Sequence, residues 1–177
     1  MRSAVPSKLQ AAALPALGDV LEFMRVIWEL DHALQRTSKS MHARLGVTGP
    51  QRLVIRIVGR FPGIPAGQLA ALLHVHPSTL TGILKRLEHG GLVRRHSDPH
   101  DARRSLLGLT NKGRAFDTDS AGTIESCIAD ALEHTPGHKI EAARELLGGI
   151  AQRLADSTVR PVRSTRARPS RKRSGAR

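Results

Sequence analysis

Ser78, Thr79, Thr81, Gly82, Lys85 and Arg86 lie within nine residues of one another, and their chemistry suits contact with a nucleic acid. Hydroxyls read base edges, ammonium and guanidinium groups meet phosphate, and a glycine among them lets the backbone come close. Pro77 and the pair Gly90-Gly91 bracket the segment. Inside it Leu80, Ile83, Leu84 and Leu87 keep the i, i+3, i+4, i+7 spacing of a buried helix face. At about 100° per residue, Ser78, Gly82, Lys85 and His89 point the other way, flanked by Thr81 and Arg86. The spacing predicts a helix that buries leucine and presents small polar and basic groups.

Further cations are placed to meet phosphate around such a helix. Arg52, Arg56 and Arg60 follow at four-residue spacing and are expected on one face of a preceding helix. Arg94 and Arg95 fall in 92–96, an expected strand. Ser97-Asp98-Pro99-His100-Asp101 is turn material, and 105–109 returns as a second strand. The hairpin carries Arg103 and Arg104 at its tip, where a guanidinium can reach the narrow, strongly negative minor groove. Short helix, tight turn, polar helix and hairpin, in that order, describe a winged helix-turn-helix. The same architecture also serves in protein–protein contacts, and charge favours DNA. Residues 48–114 hold eleven basic and three acidic residues, a field that attracts a polyanion.

Other chemistries find little to work with. His74 and His76 stand two apart in a predicted turn and point to different sides, and no Cys pair or ordered carboxylate set completes a tetrahedral shell. No metal site is expected, and His76 is expected to cap or flank the helix that Pro77 opens. Cys127 is the single cysteine, so it forms neither an intramolecular disulfide nor a thiolate zinc site. With no cation beside it in sequence, it is expected to be a small buried residue rather than a redox sensor. No glycine-rich phosphate loop and no Ser, His and acid set stands out, so neither an enzyme nor a cofactor is expected.

The elements that hold these groups must be mostly helical. Of 177 residues 40% are hydrophobic and 2% aromatic, which leaves Leu, Ile, Val and Ala to pack the core. Residues 17–45 lack proline, and Val20, Met24, Ile27, Leu34, Met41 and Leu45 recur at helical spacing. One long helix is expected, and its stripe exceeds what a small domain covers, so part of it is expected to meet another subunit. Thr48-Gly49-Pro50-Gln51 opens the next helix with a capping box, followed by Leu53, Val54, Ile57 and Val58 as its expected buried stripe. Residues 67–73 give a short second helix. After the hairpin, Thr110 is expected to cap a helix over 111–132. Beyond Pro136-Gly137, Ile140, Ala143, Leu147, Ile150 and Leu154 have the rhythm of a helix seam.

The ends differ from the middle. From Thr158 onward there are eight Lys or Arg and no acid, a large share of the net charge of +13, and this tail is expected to be disordered. Residues 1–16 read as a flexible extension. No apolar run approaches the roughly 20 residues of a membrane helix, so no membrane partner is expected.

Thr79-Leu80-Thr81 through Leu87-Glu88, Gly91-Leu92-Val93, Asp98-Pro99-His100-Asp101-Ala102-Arg103 and Leu109-Thr110-Asn111-Lys112-Gly113 together resemble the MarR family of bacterial transcriptional regulators. An acid followed two residues later by arginine, then a strand ending in Leu-Thr-x-x-Gly, carries the likeness. The likeness spans 17–154, sharpest in the middle, and does not reach the tail. It implies a mainly α fold with a small β-hairpin wing, in which 48–110 is the DNA-binding lobe and 17–47 and 111–157 are dimerisation helices. It implies groove contacts by Ser78, Thr79, Thr81, Gly82, Lys85 and Arg86, with Asp101 orienting Arg103 by a charge-assisted hydrogen bond. Where the family carries a further wing cation this chain has Ala102, so Arg103 or Arg104 is left to take the minor-groove contact.

The resemblance also implies a cytoplasmic, nucleoid-associated homodimer on double-stranded DNA. Its operator would be pseudo-palindromic, with half-sites about one DNA turn apart. Such a protein is expected to repress transcription until a small aromatic or anionic effector lodges between the dimerisation helices and the DNA-binding lobe. The first helix, which borders that position, carries Trp28, His32 and His42. The rival expectation is an architectural protein that coats DNA with little sequence preference, for which the basic tail argues. Arg166-Ala167-Arg168-Pro169 within it is similar to a minor-groove AT-hook core, with alanine in place of that motif's glycine.

Overall fold

The computed structural model describes residues 16–98 and 105–159. The extension at 1–15, the hairpin tip with Asp101, Arg103 and Arg104, and the tail from 160 lie outside the described residues.

Helix α1 (Asp19–Leu45) is one run of 27 residues, closed by Gly46 in the left-handed region with its N–H on the His42 carbonyl. Among the described residues of this helix only the C-terminal end is buried. Met41 is fully buried, whereas Val20 and Trp28 are 73% and 75% exposed. Helix α2 (Gly49–Arg60) starts on the expected capping box: Thr48 Oγ1 accepts from the Gln51 amide, and the Thr48 amide donates to Gln51 Oε1 at 2.8 Å. The Gly49 amide, an orphan donor at the helix start, is taken up by Ser38 Oγ of α1 at 2.9 Å. The buried face of α2 is Val54, Ile55 and Val58, rotated from the expected stripe: Leu53 is 52% exposed and Ile57 half-buried.

Helices α3 (Ala66–Leu72) and α4 (Pro77–His89) are joined by a turn in which His74 adopts φ 51° and the Val75 amide returns to the Ala70 carbonyl. Leu80, Leu84 and Leu87 of α4 meet Val54, Ile55, Val58 and Leu69 in one core. Strands β1 (Val93–Ser97) and β2 (Ser105–Leu109) close it with Val93, Leu107 and Leu109. They pair antiparallel from Val93↔Leu109 to Ser97↔Ser105. The hairpin is also fastened to the α2–α3 loop, because the Gly63 amide donates to Leu107 O and the Leu107 amide to Ile64 O. The result is a winged helix-turn-helix whose wing and second helix share one core.

Helix α5 (Asn111–Phe116) begins on Thr110, whose hydroxyl oxygen accepts from the Gly113 amide at 2.9 Å. A Cβ on Gly113 would lie 1.9 Å from the Leu92 carbonyl oxygen. The Thr-x-x-Gly spacing thus has a physical cause: a cap, and then a residue small enough to pass against the backbone ahead of β1. The helix expected over 111–132 is broken. Residues 117–123 interrupt it, and α6 (Ile124–Glu133) starts afresh. Helix α7 (Gly137–Val159) runs past Asp156 into the stretch expected to be tail. The chain divides into two compact units, Met1–Ala129 and Asp130–Arg177. Cys127, expected to be buried, is exposed. No helix among the described residues is long and apolar enough to cross a membrane.

Candidate nucleic-acid interface

Helix α4 is held by its leucine face and offers its other face to solvent. Ser78, Thr79, Thr81, Lys85 and Arg86 are exposed, and Gly82 is half-buried with nothing within 4 Å of where a Cβ would stand. Lys85 and Arg86 have no ion-pair partner among the described residues, so their charge is free to meet phosphate. Pro77 sits at the first turn, where no donor is missed. Ahead of it His76 caps the helix, its Nδ1 accepting from the Ser78 amide at 3.3 Å and lying 2.7 Å from Ser78 Oγ.

The arginine ridge is not what its spacing implied. Arg52, expected to meet DNA, is 2% exposed. Its Nε donates to the Glu125 carboxylate, Nη1 to Phe116 O at 2.9 Å and Nη2 to Thr118 O at 2.6 Å. With its donors turned into the protein, this guanidinium reaches no phosphate; it ties α2 to the break between α5 and α6. Arg56 is one-third exposed and paired with Asp117 at 3.1 Å and Asp119 at 2.9 Å, so its charge is already met. Gly59 permits that pairing, because a Cβ there would stand 2.0 Å from Asp117 Oδ2. Only Arg60 of the three is exposed without a partner among the described residues.

At the wing base the two arginines divide. Arg94 is exposed and has no partner among the described residues, while Arg95 pairs through Nε with Glu88 of α4 and ties the hairpin to that helix. Lys112 Nζ donates to Gly90 O at 2.9 Å, bracing the turn between α4 and β1. The groups that sequence reasoning missed are Asp117, Asp119 and Glu125. They stand 61 to 73 residues from the arginines they hold, a separation that no local pattern reveals. Away from this face, the hydrogen bond from Arg25 holds the Glu22 carboxyl below its usual range and raises Arg25 in turn. Among the described residues no three His, Cys, Asp or Glu come together to hold a metal ion.

Comparison with known proteins agrees with this geometry. The sequence profile described as the MarR family matches residues 45–104, from the end of α1 to the wing. The transcriptional regulator HosA of Escherichia coli O111:H- is 38% identical over 113 residues, covering 64% of this chain and 84% of HosA. The HTH-type transcriptional regulator TtmR of Methylorubrum extorquens (strain PA1) is 31% identical over 125 residues, 71% of this chain; the match spans 62% of TtmR's own length. The fold is similar to that in the crystal structure of the S. aureus MepR–DNA complex, with a TM-score of 0.62, 17% identity, and coverage of 75% of this chain and 97% of that one. With α4 laid bare beside a two-stranded wing, and with relatives that are themselves transcriptional regulators, the chain belongs to the MarR family.

Proposed function

We propose that the chain is a transcriptional repressor that reads a pseudo-palindromic operator in duplex DNA as a homodimer. The observation that carries this reading is the exposed polar and basic face of α4, set beside a wing. A helix of this kind fits the major groove, with Ser78, Thr79, Thr81 and Gly82 at base edges and Lys85 and Arg86 at base or phosphate. Arg60 and Arg94 add backbone contacts on either side. Asp101, Arg103 and Arg104, at the hairpin tip, are assigned to the minor groove by family resemblance. In this reading 48–110 is the DNA-binding lobe and the helices over 17–47 and 111–157 assemble the dimer. The uncovered apolar residues of α1, and Leu147 and Leu154 of α7, support it. The site of action is the compartment that holds the DNA.

Repression is relieved, in the same reading, by a small aromatic or anionic effector that favours a spacing of the two α4 helices unsuited to successive grooves. The test is selection of bound sequences from random duplex DNA by the full chain at about 0.15 M salt. An enriched inverted repeat, released by a member of a panel of aromatic carboxylates, is the expected result. Binding with no enriched motif favours the second reading, an architectural protein that coats DNA through its tail, for which the eight cations of 158–177 argue. No binding at all overturns both.

A further inference from the structure

The first two turns of α4 carry two hydroxyls whose protons are already committed. The Ser78 amide and the Ser78 hydroxyl both lie against Nδ1 of His76, at 3.3 Å and 2.7 Å. An amide N–H only donates, so this geometry assigns Nδ1 as the acceptor and the ring as the Nε2–H tautomer. The hydroxyl is then the second donor to the same nitrogen. One turn on, Thr81 Oγ1 donates to the Pro77 carbonyl at 2.8 Å. Both side chains are exposed, and what each has left for a ligand is lone pairs. Thr79 has no side-chain partner among the described residues, so its hydroxyl keeps both roles.

A free hydroxyl serves any base, because it donates or accepts as needed. One held as an acceptor does not. In the major groove it is matched by the exocyclic amino group of adenine or cytosine and opposed by the carbonyl oxygen of guanine or thymine. Each base pair offers one amino group there, so the distinction falls between strands. We infer that His76 is a positioning residue for specificity: by holding Ser78 as an acceptor, it makes α4 select adenine or cytosine on the strand that Ser78 and Thr81 face. The open space at Gly82 lets this turn of backbone approach the bases. The inference rests on the DNA-reading role proposed above, and its test separates the two.

The experiment repeats the random-duplex selection with the full chain as wild type and as Ser78→Ala, His76→Ala and His76→Asn. The base position whose preference changes in Ser78→Ala is the one that Ser78 reads. There the wild type is expected to favour adenine or cytosine over guanine or thymine by about tenfold. His76→Ala, which frees the hydroxyl, is expected to reduce that ratio to about twofold while the rest of the motif persists. His76→Asn, whose Oδ1 accepts the same two donors, is expected to restore it. If His76→Ala loses all binding through loss of the cap, His76→Asn and a modified duplex decide. In that duplex the base at this position lacks its amino group, purine for adenine or 2-pyrimidinone for cytosine, and the wild type is expected to bind it about tenfold more weakly. Guanine or thymine at that position, an unchanged ratio in His76→Ala, or no loss on the modified duplex overturns the inference alone. A wild type that enriches no motif overturns the parent reading and the inference with it.

Discussion

Two arginines of the same lobe, Arg52 and Arg86, are set to opposite tasks by their surroundings. Arg52 is sealed beneath α2 with a carboxylate and two backbone carbonyls as its acceptors. Arg86 stands in water with none among the described residues. Arg52→Ala leaves the carbonyls of Phe116 and Thr118 without their donor and the one-third-exposed Glu125 without its cation. It is expected to cost about 2–4 kcal/mol of folding stability, read as a lowered midpoint in urea. Arg86→Ala is expected to leave that midpoint within about 0.5 kcal/mol. Its effect belongs to DNA binding: a salt slope reduced by about 1 if it meets phosphate, or relaxed preference at one base pair at about 1–3 kcal/mol if it meets a base. A urea midpoint unmoved by Arg52→Ala would contradict the buried placement. The sequence could not separate the two, because four-residue spacing suggests a single ridge. At 3.6 residues per turn each such step drifts about 40°, which carries the series from buried Arg52 through half-buried Arg56 to exposed Arg60.

Among the elements, contacts from α2 and from the segment ahead of β1 decide where α5 begins and ends. Gly113 passes beneath the Leu92 carbonyl, and Gly59 passes beside the Asp117 carboxylate. Alanine at either position has no room, but the neighbours differ in what can yield. Leu92 O is backbone at the foot of the wing, so Gly113→Ala must displace the hairpin or α5 and is expected to cost about 2–3 kcal/mol. Asp117 is a side chain that can swing away, so Gly59→Ala is expected to cost less, about 1 kcal/mol, with loss of the Arg56 ion pair. Thermal unfolding of the two variants checks the order, and a costlier Gly59→Ala would reverse it. The starts of α2, α4 and α5 and the turns of the helix-turn-helix were legible because their causes are local: Thr48 with Gln51, Pro77 after a histidine, Thr110 with Gly113. The break at 117–123 was legible only in part: Asp117 to Thr123 hold no large apolar residue and include Gly122, at φ 70°. What holds the segment open is its carbonyls and carboxylates turning toward arginines of α2, a contact visible only once the chain is folded.

For the whole molecule, the decisive quantities are what one chain leaves uncovered and how its charge is distributed. Trp28 is the only tryptophan and is 75% exposed on the apolar stripe of α1. If that stripe is the dimer face, its emission is expected to be blue-shifted at micromolar concentration and to move to the red on dilution into monomers. Emission typical of an exposed indole at every concentration would place the dimer elsewhere. The charge question is separate, because the eight cations of 158–177 lie beyond the lobe that reads DNA. Each phosphate neutralised steepens the dependence of binding on salt by about 0.9 in the logarithmic slope. A tail fully engaged on duplex DNA therefore contributes a slope of about 7, comparable to a large specific interface. Removal of 160–177 is expected to flatten the slope by up to that amount and to weaken binding to random duplex. The motif selected from random DNA should survive, because base readout resides in α4. Loss of the motif along with the tail would make the chain an architectural protein whose winged lobe only docks, and an unchanged slope would mean that the tail does not touch DNA.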